Sequence, residues 1–598
     1  MVAVESITNR FDPTPKERSS PMFPTHPLGK HAKILLSSVF GPYAQDDAFG
    51  SRTINPMELY HNQVTRFQGV FSLRMFHRSF GLLLMQANID APCTLLDFPT
   101  RERFIAELQE TTYDIVGISG IIPNLRKVAE MCRLVRLHQP RATIVVGGHV
   151  TNAVDVERIV DADHFVKGDG VAWFRRFLGQ DPKAPVRHPA VYSGFGMRIL
   201  GYSPKEKPGD TAAILMPSVG CPVGCNFCST SALFGGKGHF INFYETGDAL
   251  FDVMQQIEGK LGTQSFFVLD ENFLLHRKRA LRLLELMQQH EKSWSLYVFS
   301  SARVLESYDI EQLVGLGVSW VWMGLEGDNA AYSKLRHVDT RSLVKKLQSH
   351  GIRVLGSTII GLEEHRPEDM QAVIDYAVSH ATDFHQFMLY TPNPGTQLYE
   401  KHKTEGSLLS SDEIDIADTH GQYRFSFRHP HIPAGWETKF LADAFLRDFE
   451  VNGPSLARLI RTQMEGWKRY RNHPDARIRR RIAWENRSMA TTYAGAVWAM
   501  QHWFKQHGKP VAELESLLTE MKTLFGWQAR ALAPVVGMRL LMSMRAEDRR
   551  LREGKTYEPT TFLEKNPQAI ALEQAQAVKS RTGTEIRRVI PVVTPVMA

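Results

Sequence analysis

Cysteine is scarce in this chain, with five residues in 598. That excludes the disulfide scaffold of small secreted domains. It also leaves too few thiols for more than one cysteine-rich metal centre. No uninterrupted apolar run of about eighteen residues occurs, so no transmembrane helix is predicted. Residues 1–31 lack an apolar core and carry Pro13, Pro15, Pro21, Pro24 and Pro27. They read as a flexible lead-in, not a secretory signal. No G-x-G-x-x-G opens the first helix, which argues against a dinucleotide site, and no internal repeat or long low-complexity tract is present. The composition that remains is ordinary, 43% hydrophobic and 23% charged, which excludes a fibrous or disordered chain. The length predicts roughly three or four domains. The expected compartment is the reducing cytoplasm.

Apolar runs of strand type, KILLSS, CTLLDFP, YDIVGIS, ATIVVGGH and DHFVKGDG, alternate with helical stretches over residues 32–180. In NLRKVAEMCRLVRLHQP the apolar residues Leu125, Val128, Met131, Cys132 and Val135 recur at helical spacing. Strands alternating with helices predict an α/β, doubly wound, Rossmann-like domain. Residues 181–211, rich in Pro and Lys, read as a linker. Six further strand–helix units fill residues 212–405: AAILMPS, SFFVLD, SLYVFSS, WVWMGLE, VLGSTIIG and FHQFMLYTP start them. They predict a partial or full (β/α) barrel with its active groups at the strands' C-terminal ends. Residues 406–598 read as a helical C-terminal region. Between Val451 and Arg550 there are 18 Lys/Arg against 8 Asp/Glu, so the +7 excess of the whole chain resides there.

The most informative segment is PSVGCPVGCNFCSTSALFGG, which spaces Cys221, Cys225 and Cys228 as C-x3-C-x2-C directly after the first barrel strand. Three thiolates on one tight loop can hold three corners of an iron–sulfur cube and leave the fourth iron open. Gly220 and Gly224 allow the tight fold, and Pro222 stiffens it. Structural zinc is the metal rival, but it wants four closed ligands. Cys93 and Cys132 lie in the other domain with apolar neighbours that suit packing, and His239 is a fourth ligand of no distinctive spacing. The triad after the first strand of a (β/α) barrel resembles the radical S-adenosylmethionine (radical SAM) enzymes. In that family the open iron is chelated by SAM, which one-electron reduction cleaves to methionine and a 5′-deoxyadenosyl radical. The resemblance implies Cys221, Cys225 and Cys228 as ligands of a 4Fe–4S cluster, with Phe227 near the adenine. It implies Asp270, Glu271 and Asn272 as the strand end that grips the SAM amino group, Ser300 and Arg303 at the third strand end, and Glu326 near the ribose. STIIGLEE matches a G-x-I-x-G-x-x-E pattern at Ile359, Gly361 and Glu364, with Ser357 in place of the first glycine. An electron donor such as a flavodoxin or ferredoxin is implied as a partner.

The N-terminal unit is similar to the cobalamin-binding domain that precedes the barrel in many radical SAM enzymes. That likeness places Ser119, Gly147, Gly148 and Gly168 against the cofactor's nucleotide tail. The D-x-H-x-x-G motif is absent, and His61, His77 and His149 stand in other contexts, so cobalamin is expected without a protein histidine on cobalt. The turn GDGV puts Asp169 and Val171 where that domain's GEGE-like turn has glutamates. A degenerate domain that binds nothing is the alternative there. Within this family the commonest activity is methylation of an unactivated carbon by way of methylcobalamin. GGKGHFINFYETGDALFDVM, the ENFLL turn and the helical tail look similar to the hopanoid C-3 methylases, implying a lipid or other small-molecule substrate.

Trp467, Tyr470 and Trp484 interleave with Arg469, Arg471, Arg477, Arg479, Arg480 and Arg481. Such a basic, aromatic segment suits peripheral contact with the inner face of a membrane or a solvated helical cap. Nucleic acid is not expected, since no RNA module accompanies the charges. A non-methylating oxidative cyclase and a non-catalytic cobalamin or iron–sulfur sensor that binds nucleic acid remain the alternatives.

Overall fold

The apolar runs of the first third become strands of one sheet. They are β1 (Ile34–Ser38), β2 (Cys93–Asp97), β3 (Ile115–Ser119), β4 (Thr143–Gly147) and β5 (His164–Val166). The computed structural model describes residues 23–41, 48–50, 59–204, 211–326, 338–555, 557 and 559–586. The start of the lead-in and the stretch 205–210 of the linker lie outside them. The five strands are parallel in the order β2-β1-β3-β4-β5. Alternation along them feeds two cores. Leu35, Val116, Ile144 and Val146 pack with the helix Leu125–His138 on one face. Ile34, Leu36, Ile115 and Val145 pack with Phe174 and Phe177 on the other. A sheet buried on both faces is what continuous apolar runs predict.

The second sheet holds β6 (Ala213–Leu215), β7 (Ser265–Val268), β8 (Ser295–Phe299), β9 (Val318–Gly324), β10 (Arg353–Ile360) and β11 (Phe384–Leu389). All are parallel and stand in chain order, with β6 and β11 at the edges, as in a partial barrel. Phe266, Val268, Leu296, Val298, Val321 and Met323 face the covering helices. The intervening residues Phe267, Tyr297, Phe299, Trp320 and Trp322 stand on the concave face.

Among the described residues the C-terminal region is helical from Trp436 onward apart from one strand. β12 (Phe562–Lys565) runs antiparallel along β2, with Phe562 opposite Asp97 and Lys565 opposite Thr94. Four residues are too few for a periodic signal, so the sequence does not announce this strand. Its role is legible in the structure. It covers an open sheet edge, and Asn566 ties it there by accepting from Cys93 N (3.0 Å) and donating to Ala91 O (2.8 Å).

The basic segment also differs from expectation. The helices Ser455–Tyr470 and Ala476–Glu485 close the barrel beneath the strands' N-terminal ends. Arg477 donates to Lys292 O and Gly315 O, Arg480 to Glu291 O and Arg469 to Ser349 O. These carbonyls lie just before β8, β9 and β10. Tyr470, Arg477 and Arg481 are buried. Much of this segment is therefore a floor for the barrel and not an open basic face. Among the described residues, no helix is long and apolar enough to cross a membrane.

Candidate active site

After β6 the chain forms a short bridge, Ser218–Val219 against Ile241–Asn242, and enters the cysteine loop. The loop needs glycine twice. Gly220 has φ +85°, and a Cβ there would lie 2.9 Å from Phe234 Cβ. Gly224 has φ +64°, and a Cβ would lie 2.5 Å from Lys237 Cα. Cys228 caps the helix Ser229–Leu233, its Sγ accepting from Ser231 N at 3.5 Å. Ser231 Oγ donates to Cys221 O at 3.0 Å, tying the first and third cysteines together. All three are partly exposed, whereas Cys93 and Cys132 are buried in the N-terminal domain. Burial, and to a lesser degree the neighbouring Cys225, Cys228 and Glu271, push the Cys221 thiol up to about 11. Among the described residues the one metal-capable group with ligand atoms all within 4.8 Å is Glu363, His402 and Glu405. At least one pair of the three thiols is therefore more than 4.8 Å apart, against the roughly 3.8 Å between ligands of tetrahedral zinc with 2.3 Å bonds. His239 is exposed.

The end of β7 divides its two acids. Asp270 is buried and engaged. Its Oδ2 accepts from Ser218 Oγ (2.6 Å) and Arg279 Nη2 (2.5 Å), and its Oδ1 from Asn272 N (3.1 Å). The Asp270 carboxylate therefore braces the base of the loop. Glu271 has the opposite setting. Its Oε2 is buried with no hydrogen-bond partner. Burial, with Asp270 adding, raises its carboxyl to about 7 against the pull of the Gly220 amide. Glu271 therefore lies beside the start of the cysteine loop with an unsatisfied oxygen.

The other strand ends are mixed. Ser300 is buried and donates to Asn272 Oδ1 at 3.2 Å, while Arg303 is exposed. Glu326 is buried, folded back so that a Cβ on Gly324 would meet its Oε1 at 2.2 Å. Gly361 has φ +75° and Phe425 over it. Glu364 is exposed. Phe227 packs on the core that holds Ile360, Leu362 and Phe425.

Ser357 has a role its sequence position does not suggest. Trp322 Nε1 donates to Ser357 Oγ (2.8 Å), which donates to Gln386 Oε1 (2.8 Å), and Gln386 Nε2 donates to Gln63 Oε1 (2.9 Å). This polar chain crosses the concave face beside an aromatic wall. Phe299 stacks on Trp322 at 5.0 Å and Phe267 lies 5.8 Å from Phe299. The alternation in WVWMG carries that wall in the sequence. Arg279 carries no comparable signal, since its partner Asp270 is met only through the fold.

The glycine turns of the N-terminal sheet line one cavity with about 870 Å³ of empty space, part of it open to solvent. Ser119, Gly147, Gly148 and Gly168 all line it, together with Asp169 and Val171 of the GDGV turn and with Gly117. The opposite wall belongs to the barrel, through Val219, Leu233, Phe234 and Phe243. Val219 stands two residues before Cys221, so this cavity and the cysteine loop share a wall. Asp169 is the N-cap of the helix Gly170–Phe177, accepting from Ala172 N at 2.9 Å. His61 bonds Arg74 at 2.7 Å and His77 bonds Ser193 O at 2.7 Å. His149 begins the turn His149–Asn152 after β4. None of the three histidines lines the cavity.

Gly148 makes the cavity testable. Its φ is +83° and its ψ −172°, a region open essentially to glycine alone. A Cβ would lie 2.7 Å from Gly120 O and 2.9 Å from Ser119 Oγ. Gly148→Ala is expected to lower retention of a ligand in this cavity at least tenfold, roughly 1.4 kcal/mol or more, while the metal content of the cysteine loop stays unchanged. Absorption spectra of the reconstituted variant check both at once.

Two family descriptions match the chain: B12 binding domain over residues 79–178 and Radical SAM superfamily over residues 215–377. The bacteriochlorophyllide d C-12(1)-methyltransferase of Chlorobaculum tepidum is 27% identical over 222 residues, 36% of this chain and 47% of that protein. The hopanoid C-2 methylase of Rhodopseudomonas palustris is 22% identical over 343 residues, 54% of this chain and 63% of that protein. The chain thus spans about half to two thirds of the length of these two relatives. The solved radical S-adenosylmethionine methyltransferase TsrM from Kitasatospora setae, with cobalamin and a 4Fe–4S cluster bound, is similar at a TM-score of 0.49 and 14% identity, over 76% of this chain and 100% of that one.

Proposed function

We propose that this chain is a cobalamin-binding radical SAM protein, its B12-binding and radical SAM domains holding cobalamin, a 4Fe–4S cluster and SAM, and that it methylates an unactivated carbon of an apolar lipid. The observation that carries this reading is the wall shared by the glycine-lined cavity and the cysteine loop, which suits two cofactors held side by side. When bound, the cluster with SAM supplies a hydrogen-abstracting radical and cobalamin supplies a methyl group, which suits an sp3 carbon that has no lone pair.

The residues fit these groups. Three partly exposed thiols on a loop that only glycine can close offer cluster ligation at Cys221, Cys225 and Cys228. The unsatisfied Oε2 of Glu271 beside that loop suits an ammonium such as the SAM amino group. Ser300, Glu326 and Gly361 follow the C-terminal ends of β8, β9 and β10, Ser357 lies within β10, and Phe227 packs beside Ile360. Asp270 with Arg279 and Ser218 is a positioning brace. Ser119, Gly147, Gly148 and Gly168 let the backbone approach a bulky cofactor tail. With Cys93 and Cys132 buried elsewhere, no second cysteine-ligated cluster is at hand, so the electron is expected from a flavodoxin or ferredoxin type donor.

The aromatic concave wall supports the substrate class. Phe267, Phe299 and Trp322 form an aromatic wall on the concave face, beside the hydrogen-bonded pair Ser357 and Gln386. That lining suits a largely hydrocarbon, polycyclic substrate. A hopanoid is in keeping with the similar hopanoid methylase. The assignment to C-3 rests on the sequence resemblance alone, since that relative is by name a C-2 methylase. The test is an anaerobic incubation of reconstituted protein with SAM, methylcobalamin, a low-potential reductant and a bacterial lipid extract. S-adenosylhomocysteine and 5′-deoxyadenosine should form together, with a lipid heavier by one methyl group. 5′-Deoxyadenosine without S-adenosylhomocysteine would replace this reading by a non-methylating oxidative reaction.

A further inference from the structure

The helix Gly526–Arg552 packs one side into the C-terminal core through Ala529, Ala533, Leu540, Leu541 and Met544. Its other side is open. Trp527 is 73% exposed, Val535 68%, Met538 46% and Met542 60%. With Ala531 and Pro534 these residues fall within an arc of about 100° at 3.6 residues per turn, a stripe about 22 Å long. Exposed apolar residues elsewhere among the described residues are scattered, and a continuous stripe is unusual on a surface that stays in water.

From Gly526 to Ala546 the charges around the stripe are of one sign, and Asp548 beyond them is paired with Arg552. Arg530 flanks it on one side and Arg539 on the other, and Arg545 and Arg549 close its C-terminal end, all exposed. No acidic residue occurs from Gly526 to Ala546. Glu547 is buried and bound to Arg550 and Tyr557. We propose that this face of the helix docks on an anionic lipid bilayer, the apolar stripe entering the acyl boundary and the arginines meeting lipid phosphates. A second copy of the chain fits less well. A two-fold contact would set arginine against arginine, and one helix face is small beside the roughly 1,600 Å² of a standard protein interface. A nucleic acid would find one aromatic ring to stack on, Trp527. The floor helices carry the denser run of arginine in sequence, but their docking under the barrel leaves this later helix as the face a membrane can reach.

The proposal deepens the lipid reading above, and its test is independent of catalysis. Full-length holoprotein is sedimented with vesicles of phosphatidylcholine, alone or mixed with phosphatidylglycerol, with no hopanoid and no reductant. Binding is expected to the anionic vesicles, falling with added salt, with a blue shift of tryptophan emission. The triple variant Trp527→Ser, Val535→Ser, Met542→Ser should bind at least tenfold more weakly, with unchanged circular dichroism because all three side chains are exposed. Arg530→Gln with Arg539→Gln should lose the preference for anionic lipid, while Arg469→Gln with Arg480→Gln should not. The proposal fails if wild-type protein ignores anionic vesicles or if the triple variant binds as well as wild type. It also fails if light scattering shows a dimer that the triple variant splits, which would assign the face to a second copy. Docking without lipid methylation would overturn the substrate reading and leave this one standing.

Discussion

Cys225→Ala is expected to lower 5′-deoxyadenosine formation by at least a thousandfold while cobalamin remains bound in full. Cys225 sits in the middle of the loop, between Gly224 and the turn in which Cys228 N donates to Cys225 O at 3.1 Å. The alanine keeps that backbone bond and removes one corner of the ligand set. None of the three cysteines lines the glycine-rich cavity, so the second cofactor site loses nothing. Iron analysis, the cobalamin spectrum and chromatography of the SAM products check the three parts separately. SAM cleavage at the wild-type rate would remove the loop from the mechanism.

Glu271→Gln should have two large effects of opposite sign. Burial raises the Glu271 carboxyl to about 7 in the folded chain, against an ordinary 4.5. Between those values the folded state holds a proton that the unfolded chain has released. The stability of the cofactor-free protein therefore falls as pH rises through that window, by something on the order of 3 kcal/mol at most. Glutamine removes the penalty of a buried charge. The variant should melt higher than wild type at pH 8, with the gap closing toward pH 5. SAM binding should move the other way. Loss of a charged hydrogen bond to the SAM ammonium weakens affinity about 10- to 100-fold. Wild-type affinity should rise with pH through about 7 as the carboxyl ionises, while the variant's profile is flat. Thermal melts and equilibrium binding across pH measure both. A variant that binds SAM like wild type would return the ammonium contact to another residue, and Asp270→Asn, which breaks a buried ion pair with Arg279, would then be distinguished by its loss of stability.

The two acids at positions 270 and 271 show where sequence reading stops. Adjacent on the chain and alike in type, they take opposite roles. Asp270 meets Arg279 and Ser218, one held by the helix Arg277–Gln289 and the other by the turn before the cysteine loop. Glu271 meets the Gly220 amide but leaves its Oε2 without a partner. Alternation along a strand tells which side chains leave the sheet together, but not what another element brings to meet them. The same holds for Ser357, which a family pattern marks as a departure from glycine and the fold makes a link between Trp322 and Gln386.

By itself the sequence determined the two parallel sheets, the strands that build them and the loop that carries three thiols. Those features rest on local signals: apolar runs, period-two alternation, and glycines where the backbone must turn left-handed. Only the tertiary structure decided that the glycine turns and the cysteine loop share a wall, that Phe562–Lys565 returns to close the edge of the first sheet, and that the arginine-rich helices lie beneath the barrel while a later helix keeps an apolar face open. Each of these depends on contacts between segments far apart in the chain. Burial of a charge or exposure of a tryptophan is a property of the surface that meets it, and no window of sequence contains that surface.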